Sequence, residues 1–499
     1  MILIKSFATE ILLGVGIATF LIVDLCFLRK KESSTRSNII GTLALLFVIG
    51  AFFLLLESPF RSVHALGGMW ALDPLVIFVK LTLLAVTVVT ILLSMEKVLT
   101  PHVSEYYALI LFACLGMLFL VSSEELLMIY VALELLSVSL YILTALHLGA
   151  ERSQEAAVKY FLFGALSSSF LYFGASYLYG LSGATNLTLL GDYFRNLPAG
   201  TGQPLLWMAV TFLLVGLGFK LAVVPFHFWA PDAYEGAPTP VTAYISTGSK
   251  LASFFILIKI ALISLAPVGG SPLCHHFVGG WESLLAILAV ASMTLGNLVA
   301  MTQKNLKRLL AYSSIAHAGY ILVGVVAATK LGIAAVLYYL LIYAFTNLGA
   351  FGVITAVAAQ VGGDDLSDFS GIGRRSPLLS FFMVIFILSL AGIPPLAGFF
   401  GKFYIFLAAV GRDTQRYGLM WLVGVGVANS AVSLYYYLKI LKQMYIIEPI
   451  EAAPLQASRP MMFALILSAT VVIGLGIYPT PLLALLNRLL NYLPLGTPG

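Results

Sequence analysis

Long apolar runs separated by short polar turns dominate the chain, and their lengths predict helices that cross a bilayer. Fourteen such spans are expected, at approximately 8–28, 38–57, 73–94, 106–122, 125–148, 155–180, 205–228, 239–266, 281–302, 308–328, 331–360, 377–410, 417–445 and 460–480. A further short apolar helix, 481–492, is expected at the interface. The run from Pro377 to Val410 is too long for one straight crossing: it would reach roughly 50 Å against a hydrocarbon core of about 30 Å. Within it, LSLAGIPPLAGFFGKFYIF carries Pro394-Pro395, three glycines (Gly392, Gly398, Gly401) and a lone Lys402. Prolines remove backbone donors and glycines permit a bend, so this segment reads as a broken helix. Unpaired backbone at membrane depth is tolerated only inside protein or beside water, and a charge next to such a break reads as an ion-handling site.

A second broken segment, Gly216 to Ser246, places Lys220 just before Pro225 and runs into a Pro- and Gly-rich stretch. The two breaks fall in the seventh and twelfth spans, an odd offset that points them in opposite directions. That pattern predicts an inverted repeat, spans 4–8 against spans 9–13. The expected organisation is a three-helix segment (1–105), a first repeat (106–266), a second repeat (267–446) and a C-terminal helix and tail (447–499).

Composition agrees: 60% of residues are hydrophobic and 10% are charged, against about 25% charged in soluble domains. The fold class is therefore all-α, a polytopic membrane protein. The first apolar run is followed by Arg29-Lys30-Lys31 instead of a small-residue cleavage site, so no removable signal is expected. The net charge of +5 comes from loop lysines and arginines and implies no nucleic acid. Cys26, Cys114 and Cys274 are scattered, and Cys274-His275-His276 lacks a further ligand, so neither an iron–sulfur cluster nor another metal is expected. No glycine-rich loop sits in a nucleotide-binding context.

Basic residues give the orientation. Arg29, Lys30, Lys31, Arg36, Lys97, Arg152, Lys304, Lys307, Arg308, Arg374, Arg375, Lys442 and Arg459 fall on one side. Lys5, Arg61, Arg195, Lys330, Arg412, Arg416 and Arg488 fall on the other. The fuller set is expected in the cytoplasm, with both termini outside. Lys80, Lys159, Lys220, Lys250, Lys259, Lys402 and Lys439 remain within apolar spans.

Glu134 lies about ten residues, roughly 15 Å of helix, from Glu124 at the mouth of the fifth span. Lys220 is its expected counter-charge, and a buried pair of this kind can switch with the movement of one proton. Lys250 lies equally deep in the eighth span, flanked by Thr247 and Ser249. Burial makes a lysine able to exchange a proton near neutrality, so Glu134, Lys220, Lys250 and Lys402 read as a proton relay. Accessory candidates are Lys159, a modulator of the Glu134–Lys220 pair or a surface residue, and His317, a bridge between the halves or a core histidine. His227, with Asp232 and Glu235, is a candidate entrance or a solvated turn. Lys439 lines an exit path or snorkels. Lys80 and Lys259 are expected to snorkel toward an interface.

The motifs together resemble the antiporter-like subunit N (subunit 2) of proton-pumping NADH:quinone oxidoreductase, respiratory complex I. The resemblance is carried by LSLAGIPPLAGFFGKFYIF (388–406), VGLGFKLAVVPFHFWAPDAYEGAPTPV (215–241) and ISTGSKLASFF (245–255). GNLVAMTQKNLKRLLAYSSIAHAGY (296–320) and SLYYYLKILKQMY (433–445) extend it. The related subunit M and the D-type subunit of multisubunit sodium/proton antiporters resemble one another in having glutamate at the Lys402 position. Subunit L has lysine there but usually carries a long C-terminal lateral helix, whereas this chain ends at Gly499.

The resemblance implies that Glu134, Lys220, Lys250 and Lys402 form a broken-helix proton channel with a central hydrophilic axis, and that Lys159 is functional. It also implies a translocase subunit of the inner (cytoplasmic) membrane. FMN, iron–sulfur clusters and quinone would serve the parent complex, with no cofactor held by this chain. The implied partners are neighbouring antiporter-like subunits and the lipid bilayer. Other readings are a sodium/proton antiporter subunit, the equivalent subunit of a hydrogenase or reduced-deazaflavin dehydrogenase complex, and a scaffold with inert buried charges.

Overall fold

A computed structural model describes residues 7–58, 62–97, 99–147, 149–197, 203–273, 276–412, 418–449 and 453–493. Among these, 12 helices are long and apolar enough to cross a membrane. They are α1 (Ala8–Leu28), α2 (Ser33–Leu56), α3 (Pro74–Ser94), α4 (Val103–Ser122), α5 (Leu126–Ala145), α6 (Glu151–Ser182) and α7 (Gln203–Leu221, of which Pro204–Leu221 is the apolar span), then α8 (Thr239–Ser264), α9 (Trp281–Ala300), α10 (Leu306–Val326), α11 (Lys330–Val361) and, after α14, α15 (Arg459–Ile477). The predicted twelfth span is two helices of 15 residues, α12 (Pro377–Ala391) and α13 (Ala397–Gly411), each short of a full crossing. The 26-residue α14 (Met420–Tyr445) follows them. The expected interfacial helix is α16 (Thr480–Leu489), which buries Leu483, Leu486 and Leu489 on one face. Two hairpins that the helical pattern did not announce, Val63–Ala65 with Trp70–Leu72 and Ser271–Leu273 with His276–Val278, fill the turns before α3 and α9.

Burial sorts the helices by role. Within α8 every residue from Pro240 to Ser264 is buried, and most of α10 and α11 is too, as expected of helices that are apolar all round. By contrast α6 exposes Phe161, Leu162, Phe163, Leu166, Tyr172 and Phe173, a face for lipid or for another membrane protein.

The chain also repeats a local plan. The residue before α5, Glu125, forms a β-bridge with Asn186, and the residue before α10, Asn305, forms one with Asp365. Between each pair of bridging residues lies a 32-residue helix, α6 or α11, closed by a left-handed glycine, Gly183 (φ 69°) or Gly362 (φ 85°). Counted from the bridging residues, Glu134 and Ser314 occupy equivalent positions, as do Ser137 and His317.

Both breaks satisfy the backbone groups they free. Helix α7 stops at Leu221, where Ala222 takes φ +56°, and the Val224–Pro225 bond is cis. The Val224 N–H donates to Ser292 Oγ of α9 at 2.9 Å, and the Trp229 indole N–H donates to the Phe219 carbonyl at 2.9 Å. The predicted 205–228 helix thus ends earlier, and the chain re-forms a short helix over Trp229–Gly236. In the second break, Gly392 (φ +83°) caps α12, the Pro394–Pro395 bond is cis, and the Gly398 N–H donates to Ser389 Oγ at 3.2 Å. No orphaned backbone is left for lipid to meet at these named positions.

Candidate functional site

Lys220 occupies the last turn of α7, and the Lys402 ammonium lies against the last turn of α12, the partially negative C-terminal end of an interrupted helix. The Lys402 Nζ donates to the Leu390 and Ala391 carbonyls (3.0 and 3.2 Å) and to Ser430 Oγ of α14 (3.1 Å). It also lies 4.9 Å from the Tyr320 ring centroid, an attractive cation–π distance. The sequence ties the lysine to the Pro pair because the break exposes the carbonyls that this ammonium then binds.

Lys220 is bound differently. Its Nζ donates to Ser137 Oγ at 2.6 Å and to Tyr141 OH at 3.3 Å. Glu134 is near enough for its charge to act on Lys220, but the two form no ion pair in direct contact. In place of the expected Glu134–Lys220 contact, Lys220 is bound to the Ser137 and Tyr141 hydroxyls. Glu134, Ser137 and Tyr141 share a face of α5, and the Glu134 Oε1 atom is buried without a hydrogen-bond partner.

Lys250 is 2% exposed and follows a π-helical turn, Ile245–Ser249, within α8. Its Nζ donates to the Ser314 carbonyl (2.7 Å) and to Ser314 Oγ (2.5 Å), and Ser314 Oγ also meets Tyr234 OH at 3.1 Å. One turn along α10 stands His317, whose Nδ1 and Nε2 meet Tyr339 OH (2.5 Å) and Tyr437 OH (2.9 Å). Along α10, Lys250 meets Ser314 and Lys402 lies over the Tyr320 ring, with His317 on the stretch of helix between these two contacts. A neutral imidazole donates from one nitrogen and accepts at the other, so the two tyrosines hold its two roles apart. Tyr437 OH continues to Ser313 Oγ at 2.5 Å.

The remaining candidates disperse. Lys159 is 41% exposed and pairs with Glu155 (2.6 Å) and Asp232 (2.9 Å), away from Glu134 and Lys220. Arg308 joins the same end-face network, at 2.6 Å from Asp232 and 3.0 Å from Glu235. Burial tends to raise the Asp232 carboxyl, but the hydrogen bonds and charges of Lys159 and Arg308 outweigh it and hold the group below its usual value. His227 is buried, with Nδ1 unpartnered, and no hydrogen bond links it to Asp232 or Glu235 among the described residues. Lys439 is half-buried and lines a surface cavity of about 670 Å³ with Tyr435, Lys442 and Tyr445. Cys274 and His275 lie outside the described residues, as do Lys5, Arg61 and Arg416.

Two expectations are overturned. Lys80 is fully buried and bound to Glu10 at 2.6 Å, and Lys259 is 2% exposed and bound to Glu124 at 2.6 Å; neither snorkels. Long apolar spans gave no sign of these pairs because the partners are distant in sequence, Glu10 in α1 and Glu124 in the turn between α4 and α5. The serines and tyrosines that hold the relay (Ser137, Ser314, Tyr339, Tyr437, Ser430) were likewise missed. Only Ser314 and Tyr437 had a signal, as polar residues punctuating AYSSIAHAGY and SLYYYLKIL.

Interrupted helices, buried amines beside the breaks and a histidine near Lys250 and Lys402 define an antiporter-like membrane protein. Residues 123–433 match the family model described as NADH:quinone oxidoreductase/Mrp antiporter, TM. The chain is 42% identical over 492 residues to an NADH-quinone oxidoreductase subunit N of Acidobacterium capsulatum, covering 96% of this chain and 98% of that one. It is 40% identical over 473 residues to the subunit N of Heliobacterium modesticaldum, covering 94% and 95%. The chain belongs to the NADH-quinone oxidoreductase subunit N family. Its fold is similar to a chain of respiratory complex I from Thermus thermophilus, with TM-score 0.77, 33% identity and coverage of 95% and 98%. A chain of the Mrp complex from Dietzia shares the fold at TM-score 0.80 with 20% identity, covering 98% and 97%.

Proposed function

We propose that this chain is a proton-translocating membrane subunit of NADH:quinone oxidoreductase in which Glu134, Lys220, Lys250 and Lys402 carry the proton. The observation that carries the reading is the position of Lys220 and Lys402 at the carbonyl ends of two interrupted helices, with Lys250, Ser314 and His317 between. Lys402 is held by two carbonyls and a hydroxyl and Lys220 by two hydroxyls, so either amine can lose its proton without breaking a direct ion pair. Glu134 begins the string, within electrostatic reach of Lys220, and His317 joins Lys250 to Lys402. Lys159 and the Asp232–Arg308 network lie at the entry face, while His227 and Lys439 are accessory.

In this reading the repeats 106–266 and 267–446 are inverted copies that supply one break each, preceded by segment 1–105 and followed by 447–499. The basic face is cytoplasmic, both termini are outside, and the membrane is the bacterial inner membrane. Moving one charge against 100 mV costs about 2.3 kcal/mol, so the driving energy comes from quinone reduction elsewhere in the complex. FMN, iron–sulfur clusters and quinone belong to that wider assembly, and neighbouring antiporter-like subunits transmit the coupling. The likeness to the Mrp complex extends to fold alone and does not favour sodium exchange.

The test is NADH-driven proton pumping by membranes carrying Glu134→Ala, Lys220→Ala or Lys402→Ala, with assembly verified. Loss of pumping in assembled complex supports the relay. Full pumping by the Lys220 variant would make the buried charges inert scaffolding.

A further inference from the structure

At the end of the molecule opposite the Asp232–Arg308 network lies a second group of buried charges that the relay does not use. Glu10 of α1 and Lys80 of α3 are paired at 2.6 Å, with 4% and 0% of each residue exposed. The Lys80 ammonium lies 4.8 Å from the Trp70 ring, and Trp70 is bridged to Ser123. The Ser123 carbonyl accepts from Lys259 Nζ of α8 at 2.7 Å, and the same ammonium pairs with Glu124 at 2.6 Å. Asp73, the N-cap of α3 through the Val76 N–H (2.8 Å), is electrostatically coupled to Lys80, Lys259 and Glu124. The two pairs thus form one cluster spanning α1, α3, the start of α5 and α8.

Burial alone does not explain it. Two apolar residues would fill the space of a buried ion pair at no loss of stability, so a purely structural role gives little reason for two pairs here. Three polar atoms around them, Glu10 Oε2, Trp70 Nε1 and Ser122 Oγ, are buried without a hydrogen-bond partner. Such atoms call for bound water, the medium through which protons move between side chains. The cluster is also graded: the Lys80 and Glu10 side chains are 1% and 3% exposed, whereas that of Glu124 is 14% exposed and reaches the end face. Burial raises the Asp73 carboxyl above its ordinary value, which makes it able to hold a proton.

We propose that Glu10–Lys80 and Lys259–Glu124, with Asp73, form a second proton-holding station serving the membrane face opposite the Asp232–Arg308 network. The step is a transfer within each pair. A lysine N–H bond breaks as a carboxyl O–H bond forms, leaving a neutral amine and a neutral acid. Glu124 then gives its proton to water at the face, and the amine is reprotonated from the buried side. The inference rests on proton translocation by this chain, as proposed above.

The experiment compares four forms of the assembled complex in proteoliposomes: native, Lys259→Met with Glu124→Met, Lys80→Met with Glu10→Met, and Lys250→Met. Replacing both partners removes the titratable groups while sparing the fold the cost of an unpaired charge. Assembly is measured by native electrophoresis and pumping by acidification of the lumen per assembled complex. The station requires each double variant to assemble and to lose about tenfold or more in pumping rate. Glu124→Asp, which keeps the carboxyl, should retain most of it. Native pumping by both assembled double variants, beside an inactive Lys250→Met form, overturns the station alone. Native pumping by Lys250→Met overturns the relay on which it rests. Where a double variant fails to assemble, Glu124→Gln alone decides: native pumping counts against the station, and loss restored by Glu124→Asp supports it.

Discussion

The Lys220 ammonium donates to Ser137 Oγ at 2.6 Å, one turn beyond Glu134 on the same helix, so a hydroxyl, not the carboxylate, is the direct partner of the amine. This serine also donates to the Leu133 carbonyl at 2.5 Å, which fixes its lone pairs toward Lys220. Ser137→Ala removes the closest partner of a buried charge, at a cost of about 1–3 kcal/mol. Pumping per assembled complex should fall roughly tenfold, less than in Lys220→Ala. An unchanged rate would show that the hydroxyl takes no part.

His317 is held by a tyrosine on each nitrogen. Tyr437→Phe keeps the ring packing and removes the hydroxyl at Nε2, so pumping should slow while assembly stays normal. His317→Leu should be more severe, by about tenfold or more. Equal rates in Tyr437→Phe and native complex would remove Tyr437 from the path.

Gly392 has φ +83°, and a Cβ there would lie 3.2 Å from Lys402 Cδ. Gly392→Ala therefore combines a left-handed penalty of about 1–2 kcal/mol with pressure on the lysine. Expected are a lower melting temperature of the detergent-solubilised complex and reduced pumping. Gly180→Ala, at a position where a Cβ meets nothing within 4 Å, should change neither.

The Asp232 carboxyl is held below its ordinary value of 3.8 by Lys159 and Arg308, against the effect of burial. A depressed carboxyl contributes stability that is complete above the ordinary value and is lost as pH falls through the lower folded value. Asp232→Asn should therefore lower the melting temperature at pH 7 and have progressively less effect below about pH 4. A deficit that persists at low pH would show that packing, not charge, holds the network.

Legibility followed the range of the interaction. Pro394-Pro395 and Lys402 are neighbours in sequence, and the break, its capping glycine and the lysine that binds its carbonyls were all visible there. Lys220 before Pro225 was equally plain. Lys259 was misread because its partner Glu124 comes from the distant turn between α4 and α5, and an isolated lysine in an apolar span looks the same whether it snorkels or is paired. Lys159 read as a modulator of the Glu134–Lys220 pair or a surface residue, and its i, i+4 neighbour Glu155 and the distant Asp232 hold it at the end face. The predicted seventh span overran because Pro225 marks a break without stating where the helix stops; the positive φ of Ala222 does.

The sequence by itself determined a helical membrane protein with two interruptions and buried amines beside them, because apolar length and proline position act locally along the chain. Which hydroxyl receives each ammonium, and which carboxylates neutralise Lys80 and Lys259, was decided only when helices far apart in sequence packed together. In a low-dielectric interior a charge is stable only with its partners in hydrogen-bond reach, and that proximity is a property of the tertiary structure.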